Sequence, residues 1–116
     1  MIELEFPLRT VAGLNAREHW RVRATRVRNE RIAVAWRLQY ALRPGLPVRV
    51  TLTRLSAGTL DSDNLQGAFK GVRDAIAQCY GIPDNDARIE WAYAQEKCRR
   101  GTYRVRITIH STGATT

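Results

Sequence analysis

The stretch VRVTLTRLSAGTLDSDNLQGAFKGVRDAIAQCYG, residues 48–81, holds a strand, an acidic junction and a helix in direct succession. Residues 48–55 alternate. Val48, Val50 and Leu52 fall on one side, Arg49, Thr51 and Thr53 on the other, with strong β formers throughout, which predicts a strand. Residues 56–59 read as a loop. Asp61, Ser62 and Asp63 are good N-cap residues, and from Asn64 the period changes. Leu65, Ala68, Phe69, Val72, Ile76 and Cys79 then form one apolar stripe at helical spacing, and Gly81 closes the helix.

Outward from this stretch, residues 2–6 alternate apolar and acidic before Pro7, which predicts a short strand. Residues 10–15 are a loop with Gly13, and Asn15 is a helix-cap residue. Residues 17–42 carry no Gly or Pro. Trp20, Ala24, Val27, Val34 and Leu38 recur there at mostly helical spacing, so a long helix is expected with Trp20 in the core. Residues 43–47 form a turn. Residues 88–95 alternate weakly around Ile89, Trp91 and Tyr93. Tyr103, Val105, Ile107 and Ile109 alternate strictly against Arg104, Arg106, Thr108 and His110, and these last two runs predict a hairpin. The sum is an α+β fold, a single β-α-β-α-β-β domain over residues 1–110 with helices packed on one small sheet. Residues 111–116 make a polar tail.

At 116 residues and 44% apolar content the chain supports one folded domain. It carries no apolar run near the ~20 residues that span a bilayer. The acidic, alternating start at residues 1–5 does not read as a signal peptide, so a cytoplasmic location is expected. Cys79 and Cys98 stand 19 positions apart, without the neighbouring Cys or His of a zinc site, and read as reduced thiols.

The net charge is +8, and 17 of the 19 cationic side chains are arginine. Guanidinium groups bind phosphate bidentately, so a polyanion, nucleic acid above all, is the natural partner. Arg17, Arg21, Arg23, Arg26, Arg28 and Arg31 crowd into 15 residues opposed only by Glu18 and Glu30, and form the first candidate DNA surface. Lys97, Arg99 and Arg100 in the predicted hairpin tip form the second. The structural alternative is a solvated helix face and a polar turn.

Against this background, five of the eleven acids fall within the 26 residues from Asp61 to Asp86. Clustered carboxylates repel one another and cost free energy to desolvate unless something pairs with them. Asp61 and Asp63, at i and i+2 of an extended segment, point to the same side, and the helix dipole favours negative charge there. Asp84 and Asp86 repeat that spacing after the helix. A divalent cation fits such a group. Magnesium, with manganese as a substitute, is the ion that takes one or two carboxylates plus phosphate oxygens. As alternatives, Asp61 and Asp63 serve as ordinary caps, Asp84-Asn85-Asp86 as a turn, and Lys70 and Asp74 as an i,i+4 pair.

Asp61-x-Asp63-Asn64-Leu65, then Lys70-x-x-x-Asp74-Ala75-Ile76, then Gly81 and an Asp-x-Asp loop ending at Asp86, resembles the RusA-type Holliday junction resolvases, small endonucleases of bacteria and prophages. The resemblance is sharpest over residues 60–90 and extends weakly to Leu14-Asn15-Ala16-Arg17. It implies a magnesium-dependent homodimer that cuts four-way DNA junctions by paired incisions in recombination and repair. The metal would sit on Asp61, Asp63 and Asp86, the catalytic lysine would be Lys70, and Asp84 and Asp74 would be accessory. In the best-known member of the family the lysine follows the motif asparagine by three positions. Here Gly67 stands at that place, and Lys70 requires an inserted helical turn.

A straight helix over residues 64–80 would be ~25 Å long. Six further residues reach at most ~20 Å, so returning Asp86 to Asp61 is strained. Either the helix ends early or the site is completed across a dimer. Two other readings remain. One is a non-catalytic junction or nucleic-acid-binding protein of the same fold, and the other is a small partner protein whose acidic loop docks a basic surface.

Overall fold

The computed structural model describes residues 1–10, 20–39 and 43–112. Arg17, the weak 14–17 match and residues 113–116 of the expected tail lie outside them. The alternating runs become strands β1 (Ile2–Pro7), β2 (Val48–Ser56), β3 (Ile89–Lys97) and β4 (Arg104–Ser111). The helical runs become α1 (Trp20–Leu38), α2 (Ser62–Ala68) and α3 (Lys70–Cys79). Together they make one α+β domain on a single four-stranded sheet of order β1-β4-β2-β3. Among the described residues no helix is long and apolar enough to cross a membrane.

The expected hairpin is not formed. β3 pairs in parallel with β2, from Val48 opposite Ile89 to Ser56 opposite Lys97, whereas β4 pairs antiparallel with both β2 and β1. β2 is the most buried strand and takes the interior of the sheet, so the last two strands meet its two edges and not each other. A parallel neighbour needs a long crossover, which α2 and α3 provide.

The register lines up apolar rows across the sheet. Ile2, Ile109, Val50 and Trp91 form one, and Leu4, Ile107, Leu52 and Tyr93 the next. These rows join Val34 and Leu38 of α1 and Leu65, Phe69, Val72 and Ile76 of α2 and α3 in one core. The other sheet face is polar, with Glu5 bridging Arg104 and Arg106 at 3.0 Å each and Arg106 also pairing Glu96.

The apolar stripe runs on through residues 65–79, but the helix does not. At Phe69 the backbone turns to φ −96°, ψ 5°, and Phe69 N donates to Gln66 O at 3.2 Å. Gly67, a weak helix former, lies two residues before the break. The Phe69 ring is fully buried, 6.1 Å from the Tyr93 ring. α1 and α3 pass close at Gly71, where an added Cβ would lie 2.8 Å from Glu30 Oε2 and 3.2 Å from Val27 Cγ1.

Trp20 is 67% exposed with Arg21 stacked over its ring, not a core residue. Its place at the first turn of α1 carries it beyond the sheet, and α1 reaches the core only through Val34 and Leu38, with Glu30 also buried.

Candidate functional site

Parallel β2 and β3 direct their C-terminal ends to one edge of the sheet, where open α/β sheets hold ligands. The last helix-facing row there is polar. Gln95 of β3 clasps Leu60 with both halves of its amide. Leu60 N donates to Oε1 and Nε2 donates to Leu60 O, each at 2.8 Å. Arg54 of β2 donates to Thr10 Oγ1 at 3.1 Å and to Gly58 O at 3.0 Å. These two side chains fix the loop that delivers Asp61. Neither shows in the sequence except as a polar interruption of an otherwise apolar alternation.

Asp61 is the N-cap of α2. Its Oδ1 accepts from Asn64 N at 2.9 Å and from Asn64 Nδ2 at 3.0 Å. Asp63, in the first turn of α2, is exposed and makes no hydrogen bond or ion pair among the described residues. It lines a crevice of about 350 Å³ with Gln66, Gly67, Lys70, Arg73, Asp84 and Tyr93. The break at Phe69 lies inside this group.

Arg73 organises the far wall. Its Nε donates to Asp84 Oδ2 at 3.0 Å, its Nη2 to Asp84 O at 3.2 Å and its Nη1 to Tyr93 Oη at 2.8 Å. The guanidinium also stacks 4.8 Å from the Trp91 ring, whose Nε1 donates to Asp84 O at 2.8 Å. A planar fork that meets a carboxylate, a carbonyl and a phenol at once fixes the loop far better than a point charge would. Sequence reading missed Arg73. Its only signal is a cation set in the apolar stripe between Val72 and Asp74.

The aspartates therefore divide differently from the expectation. Asp63, Lys70 and Asp84 share the crevice, and Asp61 and Asp86 do not line it. Asp86 closes its own turn, accepting from Arg88 N at 2.9 Å, Arg88 Nε at 3.0 Å and Arg88 Nη2 at 2.9 Å. Those bonds from Arg88 hold its carboxyl down at about 2, below its ordinary 3.8. A depressed carboxylate stabilises the fold above its unfolded pKa and loses that contribution as pH falls through the folded one. Carboxyl NMR titration is expected to place Asp86 near pH 2 and the opening of this turn between about pH 4 and 2. A midpoint at the ordinary value would refute the Arg88 clamp.

Among the described residues no three His, Cys, Asp or Glu side chains are grouped to hold a metal. Asp63 and Asp84 line one crevice, with one Asp84 oxygen taken by Arg73, whereas Asp61 and Asp86 lie outside it.

Lys70 is 71% exposed on its side chain and lies 3.8 Å from Asp74 Oδ2, which also pairs with Arg31 at 3.0 Å. A second crevice of about 200 Å³, lined by Arg23, Arg26, Val27, Glu30, Gly67, Lys70 and Gly71, adjoins the first through Gly67 and Lys70. α1 thus brings arginines up to the acidic crevice. The cluster is less unopposed than its sequence suggests, because Arg26 pairs with buried Glu30 at 3.0 Å and Arg31 with Asp74. Arg21 and Arg28 are exposed. Lys97, Arg99 and Arg100 are exposed in the β3–β4 connection, and Cys98 N donates to Ser56 O at 3.1 Å, which sets this basic turn at the same sheet edge as the acidic loop.

The chain matches no known family model and no curated protein.

Proposed function

We propose that this chain is a magnesium-dependent endonuclease that resolves four-way DNA junctions by paired phosphodiester cleavage. The observation that carries the chemistry is the shared crevice, in which Asp63 and Asp84 face Lys70, with the arginines of α1 on one side and a basic turn at the same sheet edge. The junction as substrate rests on the resemblance of residues 60–90 to the resolvase motif.

The residues divide the work by their chemistry. Asp63 and Asp84 would hold a magnesium ion, which supplies Lewis acidity and a more acidic bound water. Arg73 holds Asp84 at its carboxylate and carbonyl together, so the second ligand is placed before substrate arrives. Lys70 offers its ammonium to the phosphate once it leaves Asp74, countering charge that develops in the transition state. Arg23 and Arg26 on one side, and Lys97, Arg99 and Arg100 at the sheet edge, hold the flanking phosphates.

A second reading, a junction-binding protein without cleavage, is favoured by two observations. Lys70 is already paired with Asp74, and among the described residues only two carboxylates line the crevice. The test is incubation of a labelled, immobile four-way junction and a linear duplex with and without magnesium. Symmetric, magnesium-dependent incision near the crossover is expected, with binding that weakens steeply as salt rises. Tight, salt-sensitive binding without incision in magnesium or manganese selects the second reading, and absence of binding overturns both.

A further inference from the structure

A groove of about 700 Å³ lies between the end of β1 and one side of α1, within the ~300–1,000 Å³ of small-ligand sites. Leu8 and Arg9 form one wall, and their contacts fix it in place. Leu8 N donates to Tyr103 O at 3.2 Å, and the Arg9 guanidinium stacks 4.8 Å from the Tyr103 ring. Next to them, buried Thr10 accepts from Arg54 at 3.1 Å, the same side chain that holds Gly58 O in the acidic loop. The other wall is α1, with Arg21, Thr25, Arg26 and Asn29 set beside Val22 and Ala33.

Three properties of this lining select a ligand. The first is charge. Three guanidinium groups, Arg9, Arg21 and Arg26, face one carboxylate, Glu30, whose Oε1 is taken by Arg26 at 3.0 Å, so the groove favours an anion. The second is the mixture of apolar Leu8, Val22 and Ala33 with Asn29, whose amide makes no hydrogen bond among the described residues. An amide presents a donor and an acceptor side by side, the pattern that meets the edge of a base. A carboxylate peptide would use the arginines alone, and an acyl chain would leave the amide unpaired. The third is continuity. Arg26 and Glu30 also line the 200 Å³ crevice, which shares Gly67 and Lys70 with the acidic crevice. The three hollows form a row from Arg9 across α1 to Asp63.

We infer that this groove receives one unpaired nucleotide of the DNA strand whose phosphate lies at Lys70. Its ring rests against Leu8, Val22 and Ala33, its edge meets Asn29, and its phosphate is held by Arg9 and Arg21. A base reaches the groove only by leaving its stack, which costs least where the strand is already unpaired. A linear duplex keeps its bases inside and leaves the groove empty, so the groove gives a physical reason for preferring branched or single-stranded DNA. The inference rests on the proposed DNA strand at the crevice and not on its cleavage.

Fluorescence anisotropy in EDTA tests it with the full chain and three labelled probes: a single strand, the same strand built from abasic residues, and a linear duplex. Removing the bases is expected to weaken single-strand binding at least about tenfold, a loss of ~1.4 kcal/mol. Asn29→Leu takes away the amide and narrows the groove. It is expected to bring the intact strand down to the abasic one while leaving abasic and duplex binding within about twofold. Arg28→Ala removes an exposed arginine outside the groove lining and is expected to weaken all three probes alike. Both positions are exposed, and unchanged circular dichroism confirms folding. An abasic strand that binds as tightly as the intact one overturns the inference, as does an Asn29→Leu loss shared equally by all three probes. A free deoxynucleoside monophosphate that displaces the strand at comparable concentration overturns its assignment to a strand. Base-dependent binding that Asn29→Leu abolishes upholds it even where no junction is cut, so failure of the nuclease reading and failure of the groove are told apart.

Discussion

Asp63→Asn and Asp84→Asn are each expected to slow magnesium-dependent junction cleavage by a factor on the order of 10²–10³, while Asp86→Asn remains within a few-fold of the parent. The contrast follows from what each carboxylate already does. Asp63 faces the crevice without a partner among the described residues, and Asp84 is held there by Arg73 through one oxygen, leaving the other to bind. Asp86 is taken up by three bonds from Arg88. Junction affinity is expected to hold or rise in the first two variants, since each removes a negative charge facing phosphate. Single-turnover rates at saturating protein, with affinity measured separately in calcium, separate the two effects. An inactive Asp86→Asn beside an active Asp84→Asn would reinstate the three-aspartate set drawn from the sequence and would require the 84–88 turn to reopen on binding.

Phe69→Ala is expected to cost about 3–5 kcal/mol of folding stability, the largest loss from any one side chain outside the sheet. That is a large fraction of the ~5–15 kcal/mol that a domain of this kind holds. The ring is fully buried, it abuts Tyr93, and its backbone is the joint between α2 and α3. Truncation leaves a cavity at the joint between Gly67 and Lys70 in the chain, beside Tyr93 of the crevice, so any activity should fall even where the chain remains folded. Phe69→Leu, which fills most of the space, should lose less than about half as much. Urea midpoints at constant slope provide the measurement. A loss under about 1 kcal/mol for the alanine variant would show that the joint is set by the backbone turn and not by the ring.

Much of this fold is legible from local pattern. β2, β4 and the 65–79 stripe declare themselves because alternation and helical spacing are local, and apart from exposed Tyr103 and half-buried Cys79 the apolar residues they align are buried. What escaped depends on distant partners. Nothing in residues 88–109 says that β3 will choose β2 over β4, since parallel pairing leaves no turn in the sequence to read. The break at Phe69 is hidden because Leu65, Phe69, Val72 and Ile76 stay in phase across it. Trp20 reads as core by type alone. At the candidate site Asp63 and Lys70 were legible from the motif. Asp84 took second place to Asp86 because only the fork of Arg73, eleven residues earlier, distinguishes them, and Gln95 and Arg54 act through contacts made across 35 and 44 positions.

The sheet order also constrains birth. A chain emerging from the ribosome can join β2 to β3 once residue 97 is out, and with them the helices and loops that carry Asp63, Lys70 and Asp84. β1, made first, pairs only with β4 among the described residues, so Ile2 must wait for Ile109. Until then one edge of β2 lies open, the kind of bare strand edge that recruits other chains. Closing so long a span costs only slightly more entropy than a shorter one, but it is slow. β4 therefore acts as a keystone, placed last between two strands that were finished long before it. The interval before it arrives is when the nascent chain is most exposed to aggregation.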